Sequence, residues 1–365
     1  MGFHCGIVGL PNVGKSTLFN ALTSAEVAAE NFPFCTINPN VGVVQVPDKR
    51  LDILTRIFKP QKTIPTAIEF VDIAGLVKGA STGEGLGNQF LSHIRNVNAI
   101  CQIVRCFDDV HVVHVNGEIY PLRDIEVVET ELILKDLDSV ERKLSDIQRR
   151  AKSGDRAVAS ENIFYSRLRE HLLGGHPANS KKIESAEERF WLQELHLLTT
   201  KPVMYVANVD EDHITKESPY TAQVREHAAK EKSSIVVMCA KIESELSTLL
   251  PEERAEVLRD LGIQESGLDQ LIRRGYELLD LVTFFTVNEK EARAWTVKRG
   301  TLAPGAAGEV HTDFERGFIR AEVMKFEHLE QFGSERLLKE KGLVRIEGRE
   351  YVVQDGDVLF FRFHV

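Results

Sequence analysis

Cysteine is scarce and poorly placed for structural chemistry. The chain has five (Cys5, Cys35, Cys101, Cys106, Cys239) in 365 residues, an odd number with no C-x-x-C pair. That argues against a disulfide framework or a cysteine zinc site and points to a reducing compartment, the cytoplasm. No apolar run reaches 18 residues, which excludes a membrane-spanning helix of ordinary length. The start lacks the basic lead and small-residue cleavage site of a signal peptide. Positive charge is also short: 45 Lys and Arg stand against 55 Asp and Glu, a net −10, so nothing in the total suggests bulk attraction to nucleic acid. Repeats and low-complexity tracts are absent. What is present, 43% apolar and 27% charged residues, is ordinary for a soluble protein with a substantial core, and the length suits two or three domains.

Strand-like runs at residues 3–8, 67–73, 99–107, 202–208 and 234–239 alternate with helical segments, the first helix spanning 13–24. The alternation predicts an α/β fold with a mostly parallel sheet. A helical segment interrupts it. From Glu129 to Ala151, apolar residues at Ile133, Leu137, Val140, Leu144, Ile147 and Ala151 step by four and three, a coiled-coil spacing. Further helical patterns follow through Leu172 and behind a Ser185-x-x-Glu188 capping box. This predicts an inserted helical hairpin packed on itself, and a monomer. From Leu281 onward, short strands at 284–287, 294–297, 318–323, 344–346, 351–353 and 358–363, with helix at 326–341, predict a β-grasp domain. The expected division is residues 1–128 with 200–280, an insertion at 129–199, and a terminal domain at 281–365.

The strongest motif is Gly9-Leu-Pro-Asn-Val-Gly14-Lys15-Ser16, the phosphate-loop pattern G-x-x-x-x-G-K-[ST] between an apolar strand and a helix. Its glycines let successive N–H groups, including those around Asn12, Val13 and Gly14, face phosphate, and the helix N-terminus adds partial positive charge. Lys15 then reaches the β- and γ-phosphates, Ser16 ligates Mg²⁺, and Thr17 donates to the α-phosphate. Asp72-Ile-Ala-Gly75, at the end of a strand, supplies a carboxylate that supports Mg²⁺ through water and a Gly75 N–H for the γ-phosphate. Thr36, in Asn31-Phe-Pro-Phe-Cys-Thr36, completes the metal shell from a switch loop, and the Gly- and Ser-rich stretch after Gly75 reads as a second switch.

Three positions depart from a Ras-like GTPase, a Gln-directed and guanine-specific enzyme. The residue after D-x-A-G is Leu76, which cannot orient water; His114 is a candidate substitute. The base-reading motif N-K-x-D becomes Asn208-Val209-Asp210-Glu211, with a longer carboxylate and no Lys. Losing the bidentate guanine contact costs a few kcal/mol of discrimination, so adenine becomes competitive through Asn208, the Val209 backbone and the loop around Glu211. Asn12 is a candidate ligand for a K⁺ ion bridging the phosphates.

Taken together, GLPNVGKST (9–17), NFPFCT (31–36), residues 70–90, NVDE (208–211) and the run from RAWT to DGDV (293–358) resemble the YchF-type Obg-like ATPases, a translation-factor-related branch of P-loop GTPases. The resemblance implies a C-terminal TGS domain, preference for ATP over GTP, and association with the ribosome, its large subunit and ribosomal RNA. It also implies that Leu76 stands for the missing Gln and that His114 assists hydrolysis. Two other readings compete: a GTP-specific translation or assembly factor, and a nucleotide-sensing scaffold whose hydrolysis is incidental. A basic stretch, with six basic residues against two acidic between Arg142 and Arg156, is a candidate RNA contact.

Overall fold

The structure, a computed structural model, describes residues 3–24, 41–72, 97–109, 111–112, 114, 117–150 and 156–364. Six strands form the first sheet: β1 (His4–Val8), β2 (Val41–Gln45), β4 (Ala67–Asp72), β5 (Ala99–Arg105), β6 (Val203–Asn208) and β7 (Ser234–Met238), in the order β2-β4-β1-β5-β6-β7. All neighbours run parallel except the β2–β4 edge pair. β5 is buried at every position, as a central strand covered on both faces must be, which explains why its apolar residues do not alternate with polar ones; Gln102 and Arg105 are buried with them. The helices α1 (Lys15–Ser24), α2 (Lys49–Phe58), α3 (Pro121–Arg150), α4 (Arg156–Leu173), α5 (Ala186–Glu194), α6 (Pro219–Lys230) and α7 (Ala240–Leu246) follow along the chain. β1 lies where the strand order reverses, so the loop after it opens at the carboxyl end of the sheet, the position where ligands bind in open α/β folds.

The predicted hairpin is α3 with α4, and it packs on itself: Ile133, Val140, Leu144 and Ile147 meet Phe164, Tyr165, Leu168 and Leu172. However, α3 begins at Pro121 rather than Glu129. Its first turns bury Ile125 and Val128 against the sheet, so one continuous helix crosses the expected 128/129 boundary. The Ser185 cap forms, its hydroxyl accepting from the Glu188 N–H at 3.1 Å. The Glu188 carboxylate answers the N–H of Glu184 rather than that of Ser185, so the box is one residue wide of the reciprocal pattern.

The second sheet runs β11-β10-β12-β8-β9-β3, with β3 (Lys62–Ile64), β8 (Leu281–Val287), β9 (Glu291–Lys298), β10 (Phe318–Lys325), β11 (Arg345–Glu347) and β12 (Asp357–Phe363). A β8–β9 hairpin, a parallel β8–β12 pair at the centre and an antiparallel β10 make the expected β-grasp arrangement. Three details differ. A helix at Ala303–Val310, built on small residues, packs Ala303, Ala306 and Ala307 against Phe284 and Phe361. The expected helix at 326–341 is two, Phe326–Phe332 and Glu335–Glu340, split where Gly333 turns at φ 66°. Residues 351–353 contribute one isolated bridge, Leu302 to Val352.

The segment after β2 belongs in space to the second sheet. β3 pairs parallel with β9, and α2 buries Leu51 and Leu54 against Phe285, Met324 and Leu329. A short three-residue strand and an amphipathic helix carry little signal in sequence, and their partners lie more than 220 residues away. Leu54 is fully buried in this shared core. Truncation by Leu54→Ala is expected to cost about 2–5 kcal/mol in urea unfolding, with the β-grasp domain losing protection first in hydrogen exchange.

Candidate nucleotide-binding site

The phosphate loop adopts the backbone its motif requires: Asn12 sits at φ 61° and Gly14 at φ 98°. A Cβ at Gly14 would lie 2.3 Å from the Asn208 amide nitrogen, so the position needs glycine for space as well as for φ. Val13 is buried, whereas Ser16 and Thr17 are exposed on the first turn of α1. The Lys15 ammonium donates to the carbonyls of Gly9 (2.9 Å) and Leu10 (2.6 Å). Burial pushes its pKa below the ordinary lysine value, and the charge of Asp72 offsets part of that.

Asp72 ends β4 beside this lysine. Burial raises its carboxyl above the usual range and Lys15 lowers it in return. Its Oδ1 is buried with no hydrogen-bond partner among the described residues. An orphaned carboxylate oxygen beside the phosphate-loop lysine suits a hydrated divalent cation, so Asp72, with the exposed Ser16 hydroxyl on the same loop, fits the expected Mg²⁺. Thr36, Gly75, Leu76, Cys35 and Lys152 lie outside the described residues.

Asn208 joins the two halves of the site. Its Nδ2 donates to the Val13 carbonyl and its Oδ1 accepts from the Ala240 N–H, each at 2.9 Å. The side chain is thus a brace between the phosphate loop and the base loop, and only 4% exposed. The Val209 N–H is likewise committed, donating to the Met238 carbonyl at the sheet edge. Asp210 caps the short turn Glu211–His213 and bonds the His213 ring at 2.6 Å. Glu211 remains exposed at the rim.

A cavity of about 500 Å³ connects these parts; Asn12, Gly14, Thr17, Asn208, Val209 and Glu211 all line it. Sequence reasoning missed Phe107 and Asp108 on one wall and Ile242 and Glu245 on the other. Their only signal was position, directly after β5 and after the Cys239-Ala-Lys241 loop. His114 is not in this cavity. It lines an adjoining one of about 480 Å³ that shares Asp108, Asp109 and Val112 with the first. There it is 6% exposed, with its Nε2 2.8 Å from the Asp124 carboxylate in the first turn of α3.

A phosphate loop at the switch point of a parallel sheet, a strand-end aspartate beside its lysine, and an asparagine-braced base loop define a P-loop nucleoside triphosphatase of Ras-like architecture. Comparisons agree. The family profile described as 50S ribosome-binding GTPase matches residues 4–148. That of the YchF GTPase C-terminal domain, described as a protein of unknown function, matches 281–364. The chain is 53% identical to the ribosome-binding ATPase YchF of Bacillus subtilis, over the whole of both chains. It is 54% identical to the protein of that name in Haemophilus influenzae, again end to end. The solved YchF GTPase of Schizosaccharomyces pombe superposes with a TM-score of 0.86 at 36% identity, covering 99% of this chain and 98% of that one. The chain belongs to the YchF family.

The Asp72 shift gives a prediction of definite sign. Since burial raises the folded-state pKa, ionising Asp72 costs stability, and the stability held by the protonated form is lost as pH rises through the raised value. Nucleotide-free Asp72→Asn should melt up to a few degrees higher than wild type at pH 7, the gain shrinking as pH falls through the raised folded-state value and the wild-type carboxyl itself takes up a proton. The same variant should bind Mg²⁺–ATP at least about tenfold more weakly in calorimetry.

Proposed function

We propose that the protein is a Mg²⁺-dependent ATPase that works as a cytoplasmic molecular switch and associates with the ribosome, through the large subunit and its RNA. Full-length relatives that carry the name ribosome-binding ATPase support the partner and the reaction. The absence of a guanine reader carries the choice of purine. At the fourth position of the base motif, Glu211 is exposed and displaced by one methylene, while Asp210 is tied to His213. Among the described residues of the Asn208–Glu211 motif, no carboxylate is then fixed to accept the two guanine N–H donors, and adenine loses no comparable contact.

The residues divide the task in the following way. Turned from its loop carbonyls, Lys15 meets the β- and γ-phosphates, while Val13, Gly14 and Thr17 wrap the chain of phosphates with N–H and hydroxyl donors. Ser16, Thr36 and Asp72 would hold Mg²⁺, which neutralises charge on the transferring phosphoryl group. Gly75 meets the γ-phosphate from the switch. Leu76 cannot orient water, and His114, its imidazole set by Asp124, is the residue that takes that role. Asn12, exposed at φ 61°, is the candidate K⁺ ligand. Near the hairpin tip Arg149 and Arg150 are exposed, although Asp146 and Glu161 pair with them.

Competing ATP and GTP in one calorimetric titration tests the reading. ATP is expected to bind at least about tenfold more tightly, roughly 1.4 kcal/mol, with ribosome co-sedimentation differing between the ATP and ADP states. Equal or GTP-favoured affinity would overturn the assignment and favour a GTP-specific factor. ATP preference with nucleotide-independent co-sedimentation would favour the scaffold.

A further inference from the structure

None of the cavity residues takes part in a second cluster, at the base of the helical hairpin. There α3, α6 and β6 meet around the hydroxyl of Tyr205, whose side chain is almost fully buried. That oxygen is 2.6 Å from Glu231 Oε2, 3.2 Å from Glu129 Oε1 and 3.2 Å from His227 Nε2. His227 Nε2 in turn stands 3.6 Å from Glu129 Oε1 and 3.6 Å from Glu231 Oε1. One ligand atom from each of the three residues falls within 4.8 Å of the other two. His227 and Glu231 are one turn apart at the end of α6, and Glu129 comes from the facing α3.

Two features set this apart from an ordinary surface ion pair. A separation of 3.6 Å exceeds hydrogen-bond reach, yet it equals the edge of a tetrahedron whose centre lies about 2.2 Å from each corner, close to zinc–nitrogen and zinc–oxygen bond lengths. The cluster is also short of hydrogens and of positive charge. Two carboxylates face one hydroxyl hydrogen, which the Tyr205 oxygen can give to a single acceptor, and one imidazole.

We propose that Glu129, His227 and Glu231 form a binding site for a divalent transition metal of the zinc class. One imidazole and two carboxylates ligate it, and water takes the remaining position. Tyr205 supports the site from below, its hydroxyl fixing the Glu231 carboxylate as outer-shell partners of metal ligands do. Because α3 runs unbroken into the hairpin and β6 runs on to Asn208, an ion here fastens the helical domain to the strand that carries the base loop.

Cobalt(II) titrated into nucleotide-free, chelator-stripped full-length protein tests this, with zinc uptake measured in parallel by calorimetry. One equivalent should give visible d–d absorption without the near-ultraviolet charge-transfer band of thiolate ligation, and Zn²⁺ should displace it. His227→Ala and the milder Glu231→Gln should each weaken binding at least about tenfold, with circular dichroism confirming that both fold. Asp72→Asn, which alters the nucleotide site, should leave this uptake unchanged. No uptake, a thiolate band, loss on Asp72→Asn, or affinity indifferent to both cluster variants would overturn the proposal, leaving an ion-pair network that shares a proton.

Discussion

The carboxamide of Asn208 donates to the Val13 carbonyl and accepts from the Ala240 N–H, and the geometry of the nucleotide site follows from that bridge. A phosphate loop by itself is a floppy curl of backbone, with Asn12 and Gly14 both at positive φ. Across from it, β7 leads through Cys239 straight into α7. Joined through one buried amide, the two become opposite walls of a single cavity. Gly14 carries the cost of this closeness, since any side chain there would strike the same amide. Both ends of Asn208 are used in this way, which makes it a brace before it is a base contact.

The brace also explains how nucleotide selectivity can loosen without the pocket falling apart. In N-x-x-E the asparagine keeps its scaffolding bonds, and the Val209 N–H keeps its place at the sheet edge. Only the carboxylate that would read guanine is displaced. Support and specificity thus sit on different residues of one short loop, and one can change while the other stays.

Much of this was legible in the sequence because it was local. The phosphate loop, the aspartate at the end of β4, the seam of α3 and the hairpin of β8 and β9 each announce themselves within a dozen residues. What stayed hidden depended on distant partners. β3 and α2 complete a core whose other half begins near residue 281; α2 has an apolar stripe of its own, but nothing local says which sheet that stripe covers. The helix at Ala303–Val310 is made of alanines and glycines that read as a turn. His114 was read correctly as a histidine in a loop near the site. Its burial against Asp124 could not be inferred, because the aspartate belongs to a helix whose start was placed eight residues too late. The same continuous α3 runs from its contact with the sheet into the hairpin.

Calorimetric ATP binding by Asn208→Ala, set beside its urea-unfolding free energy, addresses the brace directly. Removing it leaves a buried carbonyl and a buried N–H unpaired, so stability should fall by about 1–3 kcal/mol while the fold persists. ATP affinity should fall at least about tenfold as the two walls separate. Wild-type affinity in a folded Asn208→Ala protein would contradict the account.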